Sequence, residues 1–136
     1  DSNRIEILHE PAESSKEHMM RYANIDIALD VFPFNGVTTT CEALWMGVPV
    51  ISLKGESHRS RVGYTFLNAL GEPDWCANSH DEFIAIASKL AKLGVRSVED
   101  RKALRKKMRQ SALMDYKSFT NNFESTINQV ASHLLS

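Results

Sequence analysis

The chain has no run of 18 apolar residues, so nothing in it predicts a membrane-spanning helix. Its two cysteines, Cys41 and Cys76, have neither disulfide-framework nor metal-ligand spacing. No sign of charge dominates: 16 Lys and Arg stand against 17 Asp and Glu, which removes any bulk electrostatic reason to expect nucleic acid. His9, His58, His80 and His133 are not spaced as metal ligands, and no metal is expected. No nucleophile sits beside a base, and no paired carboxylates stand out. Repeats, low-complexity tracts and linkers are missing too. At 136 residues the chain is one domain or less, and a soluble, cytoplasmic protein is expected.

What is there concentrates in residues 26–50. An apolar run (Ile25, Ile27, Ala28, Leu29, Val31) predicts a buried strand. A turn with Pro33, Asn35 and Gly36 follows, then Thr38, Thr39 and Thr40 open a segment with helical spacing at Cys41, Leu44, Trp45 and Val48. Strand, tight loop and helix start put free N–H groups at the carboxyl edge of a sheet, where open α/β folds bind phosphate. Gly36 lacks a Cβ and lets its backbone approach a ligand. Thr38 and Thr39 are expected to cap the helix and to offer hydroxyls to phosphate oxygens. Glu42, one helical turn on, is placed to accept from ribose hydroxyls. The same residues also read as an ordinary capped helix after an ordinary strand, and spacing alone leaves both readings open.

Elsewhere the pattern alternates. Strands are predicted over residues 4–8, 25–31, 48–53 and, thinly, 75–77. Helices are predicted over 16–23 with Ser14 or Ser15 as cap, from Thr38 to Gly47, and over 60–70 closed by Gly71. Ser79 and Glu82 form a capping box before a helix ended by Gly94. Another helix starts at Ser97 with Leu104 and Met108 inward, its six basic residues between Arg101 and Arg109 forming a wet face. Tyr116, Phe119, Phe123, Ile127, Val130 and Leu134 mark a last amphipathic helix. Alternating strands and helices predict an α/β fold, a Rossmann-like parallel sheet with helices on both faces and further helices at the C-terminus.

The string Leu29-Asp30-x-Phe32-Pro33-x-x-Gly36-x-Thr38-Thr39-Thr40-Cys41-Glu42-x-Leu44-x-Met46-Gly47-Val48-Pro49 resembles the C-terminal catalytic region of the O-linked N-acetylglucosamine transferases. The likeness is strongest to their SPINDLY-like branch and its bacterial tetratricopeptide-containing relatives. It extends through Glu17-His18-Met19, Gly55 and Ser60-Arg61-Val62, over roughly residues 4–130. The resemblance implies the later part of the C-terminal half of a GT-B glycosyltransferase, the half that holds the sugar nucleotide. It assigns Gly36, Thr38 and Thr39 to the donor diphosphate, Glu42 to the ribose, and His18 and Arg21 to the base. Val37 departs from the histidine of the N-acetylglucosamine transferases proper and cannot donate to phosphate. Ser15 stands where the family has a lysine, with Lys16 adjacent. Phe34 is expected either to face the sugar or to be a core aromatic. Ser60 is expected to be a structural cap.

No cofactor is implied. The donor is expected to be UDP-N-acetylglucosamine, with GDP-fucose as the alternative, and the acceptor a protein hydroxyl. A different reading is a non-catalytic nucleotide-sugar-binding or scaffolding module. Residues 1–136 are expected to be a partial domain excised from a larger protein, with catalytic residues upstream. Alone, the piece is expected to be inactive and prone to self-association through an uncovered sheet edge.

Overall fold

The computed structural model describes residues 4–7, 9 and 11–135. Three short strands, β1 (Ala28–Leu29), β2 (Val50–Leu53) and β3 (Cys76–Ala77), pair in parallel in that order. Ala28 lies opposite Val50, and Ser52 opposite Cys76. Parallel neighbours need a long crossover rather than a hairpin. The crossovers are α2 (Thr38–Trp45), from β1 to β2, and α3 (Val62–Leu70), from β2 to β3. α1 (Ser15–Arg21) precedes the sheet, and α4 (His80–Ala91), α5 (Val98–Gln110) and α6 (Tyr116–Leu135) follow it.

All four residues of β2 are buried. Successive strand side chains point to opposite faces, so both faces of the sheet are covered, which is why the strand is apolar nearly throughout. Ala43, Leu44, Val48, Val50, Leu67 and Leu70 build the core with Cys76, and Leu104 and Met108 close it from α5 as their spacing predicts. Full burial of Leu44 and Leu67 is worth about 1.5–3 kcal/mol each. Gly47 ends α2 at φ 76°, and a Cβ there would strike the backbone of Arg101, so the α2 end and α5 touch directly.

Several predicted elements change extent. Residues 4–7 form no strand, and Ile5 and Ile7 are exposed; Leu8 lies outside the described residues. A strand needs a ladder partner, and none of the described residues offers one to this segment. The strand predicted over 25–31 shortens to Ala28–Leu29. Arg101 takes the Ile25 carbonyl at 2.8 Å before the strand, and the cis Phe32–Pro33 bond lies beyond it. α1 stops at Arg21 and tightens into a 3-10 turn, Tyr22–Asn24, with Ser14 as its cap. Glu82 does not close the predicted box on Ser79: its carboxylate accepts the Asn78 N–H at 2.7 Å, while Ser79 Oγ accepts from the Glu82 amide.

The basic run of α5 is not simply a wet face. Arg101 donates to the carbonyls of Tyr22, Ala23 and Ile25, Arg105 to that of Trp45, and Lys107 pairs with Glu72. A guanidinium satisfies helix-end carbonyls well because its donors form a rigid fork. α6 keeps its predicted apolar stripe, but Phe119, Phe123, Ile127 and Val130 on it are more than half exposed.

Candidate functional site

The loop from β1 to α2 is tied down by two polar side chains. Asp30 follows β1 and accepts the Gly36 N–H at 2.8 Å through Oδ1 and the Ser52 hydroxyl at 2.7 Å through Oδ2. Asn35 is 1% exposed. Its amide donates to the Val31 carbonyl, its Oδ1 accepts the Gly63 N–H, and its own N–H donates to the Arg59 carbonyl. Buried amides and carboxylates are tolerated only when bonded in this way. The loop, β2 and the start of α3 are therefore tied together. A Cβ on Gly36 would lie 2.5 Å from Thr39 Oγ1 and 2.9 Å from Thr40 Oγ1. Glycine is required there by the protein's own threonines, which fold back over the turn.

The threonines do not cap α2 as predicted. Val37 holds the N-cap position and makes no side-chain cap bond. The cap is the residue before the first helical one, and Thr38 to Thr40 already lie inside the helix. The first backbone bond of the helix runs from the Cys41 N–H to the Val37 carbonyl. The amides of Thr38, Thr39 and Thr40 precede it and belong to the set that an α-helix leaves without internal partners. Thr38 and Thr39 are exposed and Thr40 is buried. Amides without helical partners, two exposed threonines and the positive end of the helix dipole thus meet at the carboxyl edge of the sheet.

One turn along α2, Glu42 joins the residues assigned to ribose and base. His18 Nε2 lies 2.9 Å from Glu42 Oε2, and the Tyr22 hydroxyl donates to the same oxygen at 3.1 Å. The His18 and Tyr22 rings meet edge to face at 5.8 Å. Burial, then the bond to Glu42 and its charge, push the Tyr22 phenol up to about 12, so it remains a donor across the physiological range. His18 and Glu42 line a cleft of about 340 Å³ with Ala12, Ser14, Ser15 and Met19. Arg21 reaches Glu17 at 3.5 Å, one turn back on α1. Phe34 is 67% exposed at the loop tip and is no core aromatic. Ser60 is buried, its hydroxyl engaged with Ser57 in a capping box around His58–Ser60.

The structure gathers Gly36, Thr38, Thr39, Glu42 and His18 around the first two turns of α2. Tyr22, Asp30 and Asn35 belong to the same group; sequence reasoning read Asn35 only as a turn residue and gave none of the three a role in the site. Tyr22 is four residues after His18 and shares its face. Asp30 was visible as a lone charge ending an apolar run. Among the described residues no group of three or more His, Cys, Asp or Glu is placed to hold a metal ion, and no helix is long and apolar enough to cross a membrane. Burial raises both thiols, Cys76 to about 11.

A parallel sheet with crossover helices and an open helix start at its carboxyl edge defines a Rossmann-like α/β protein. Residues 2–123 match the model of glycosyl transferase family 41, and the chain belongs to that family. It is 42% identical over 81% of its length to a probable UDP-N-acetylglucosamine–peptide N-acetylglucosaminyltransferase SPINDLY of Petunia hybrida, covering 12% of that protein. It is 31% identical over 86% of its length to the UDP-N-acetylglucosamine–peptide N-acetylglucosaminyltransferase of Caenorhabditis elegans, covering 10% of it. A solved mutant O-GlcNAc transferase of Thermobaculum terrenum superposes on 85% of the chain with a TM-score of 0.72 and 32% identity, the match covering 22% of that structure. The fold is that of part of a GT-B glycosyltransferase, and the chain spans about an eighth of the length of its plant relatives.

Proposed function

We propose that this chain is the donor-binding part of a protein O-glycosyltransferase that moves N-acetylglucosamine from UDP-N-acetylglucosamine to serine or threonine hydroxyls. The observation that carries the reading is the uncapped start of α2, with Thr38 and Thr39 exposed beside it and the Glu42–His18 pair one turn further on. Family membership and the names of the relatives support the donor and the acceptor class. Those names point to N-acetylglucosamine rather than fucose.

In this reading the diphosphate lies against the amides of Thr38 to Thr40 and the two hydroxyls. Charge grows on the leaving nucleoside diphosphate as the glycosidic bond breaks. Donors fixed in advance by Asp30 and Asn35 stabilise that charge without reorganising. Glu42 takes ribose hydroxyls. His18 offers a ring face to the base while its edge stays on Glu42, so one hydrogen bond orients both subsites. No covalent protein intermediate is needed, because the acceptor hydroxyl attacks the sugar directly. The acceptor and the residues that position it belong to other parts of the enzyme. The test is a binding comparison of UDP, GDP, UDP-N-acetylglucosamine and GDP-fucose; the uridine pair should bind more tightly, and a preference for the guanosine pair would overturn the donor assignment.

A further inference from the structure

The His18–Glu42 pair has a third member whose position is set independently of it. Tyr22 caps α1 at its C-terminal end, its N–H donating to the Met19 and Met20 carbonyls. Its own carbonyl accepts from Arg101 Nη1 at 3.1 Å, so α5, 79 residues further along the chain, fixes this backbone. The ring is held edge-on against His18, and the hydroxyl reaches Glu42 Oε2 at 3.1 Å and approaches the Thr39 carbonyl at 3.5 Å. Tyr22 also lines a cavity of about 120 Å³ with Asp30, Thr39 and Thr40, between β1 and α2. The phenol therefore stands between the candidate phosphate turn and the candidate ribose acceptor and touches both.

Among the described residues, His18 and Tyr22 both reach Glu42 at one oxygen, Oε2. A carboxylate held at one oxygen by two donors from different directions cannot rotate freely about its last bond. The other oxygen, Oε1, then points in a fixed direction and is the one left to meet a ligand hydroxyl. We propose that Tyr22 is a specificity-determining positioning residue: it locks the Glu42 carboxylate so that Oε1 accepts the 2′-hydroxyl of a ribonucleoside diphosphate. The inference rests on the reading of Glu42 as the ribose acceptor. It adds that recognition of ribose, against deoxyribose, depends on a phenol that need not touch the sugar.

The alternative is that the Tyr22–Glu42 bond only ties α1 to α2. Removing it would then cost stability, or weaken all nucleotides alike, without changing the choice between sugars. The discriminating quantity is the ratio of affinities for UDP and 2′-deoxy-UDP, measured by NMR titration on the wild-type chain, Tyr22→Phe and Glu42→Gln, with thermal unfolding alongside. Tyr22→Phe keeps the ring and removes one neutral donor to a charged acceptor. It should lower UDP affinity about threefold to tenfold and leave 2′-deoxy-UDP affinity unchanged. A fall in both affinities by the same factor would overturn the proposal and make Tyr22 structural. If Glu42→Gln collapses the ratio and Tyr22→Phe leaves it intact, the proposal fails while the ribose role of Glu42 stands. A ratio near one in the wild type, or one unmoved in both variants, would overturn both.

Discussion

α2 and α5 both contribute to the same core, yet they begin in opposite ways. At α5 the Ser97 hydroxyl accepts the Asp100 N–H and the Asp100 carboxylate accepts the Ser97 N–H, a reciprocal box that satisfies two orphan donors. At α2 the cap position is Val37, which has no acceptor to offer. The chain has not saved on polar groups there. Asp30 and Asn35 lie within the same loop, but they bond Gly36, Ser52 and Gly63, behind the helix start, and leave its front open. A closed start serves the fold. An open start held rigidly from behind costs helix stability, of order 1 kcal/mol for a missing cap, and is what an anion site requires.

The comparison breaks most completely if α2 is made to resemble α5. In Val37→Asp the new carboxylate sits at the positive end of the helix dipole and should stabilise the chain by about 0.3–1 kcal/mol in urea unfolding. It also places a negative charge against the incoming phosphate. Like charges at roughly 4 Å repel by about 4 kcal/mol at a surface-type dielectric, so UDP binding should fall by about a thousandfold. A smaller change sharpens the same contrast. Thr38→Ala and Thr39→Ala each remove a hydroxyl facing an ionised oxygen and should weaken UDP by about tenfold to a hundredfold, or 1.5–3 kcal/mol, with unfolding unchanged. Calorimetry showing full affinity in both would remove the loop from the site.

Ser97→Ala should do the reverse. It should lower stability by about 1 kcal/mol in urea unfolding and leave UDP affinity where it was, because that cap has no ligand to serve. The smallest effect is in acid. Hydrogen bonds from Ser97 hold the Asp100 carboxyl below the usual carboxylate range. A carboxylate depressed in the folded state contributes stability above its unfolded value, near 3.9, and loses it as pH falls through the folded one. Protection of the amides at the start of α5, measured relative to their intrinsic exchange rate at each pH, should therefore fall below about pH 4, and Asp100→Asn should abolish that fall.

Much of this contrast could be read from the sequence, and the unread part has a physical cause. The apolar run before Phe32, the Asn-Gly turn and the switch to helical spacing located the loop and α2. Ser97 is a local signal and marked a helix start, though its partner Asp100 was not read. Three consecutive threonines could not say which residue precedes the helix, so the cap was assigned to side chains that lie inside it. The supports of the loop were hidden because they are distant: Asp30 and Ser52 are 22 residues apart, Asn35 and Gly63 28. Arg101 and Arg105 read as a solvated face because periodicity does not reveal that helix-end carbonyls of α2 and of the Tyr22–Asn24 turn lie beneath them. Residues 4–7 have the alternation of a strand, but alternation alone supplies no partner for its ladder.

The account turns on one claim, that the open start of α2 receives the diphosphate. Backbone amides report it directly in a ¹⁵N-resolved NMR titration of the 136-residue chain with UDP, using uridine as the control without phosphates. The amides of Thr38, Thr39 and Thr40 should shift with UDP and not with uridine, while those of Val98, Glu99 and Asp100 at the closed start of α5 stay still. Unmoved threonine amides at saturating UDP, or equal shifts at both helix starts, would contradict it.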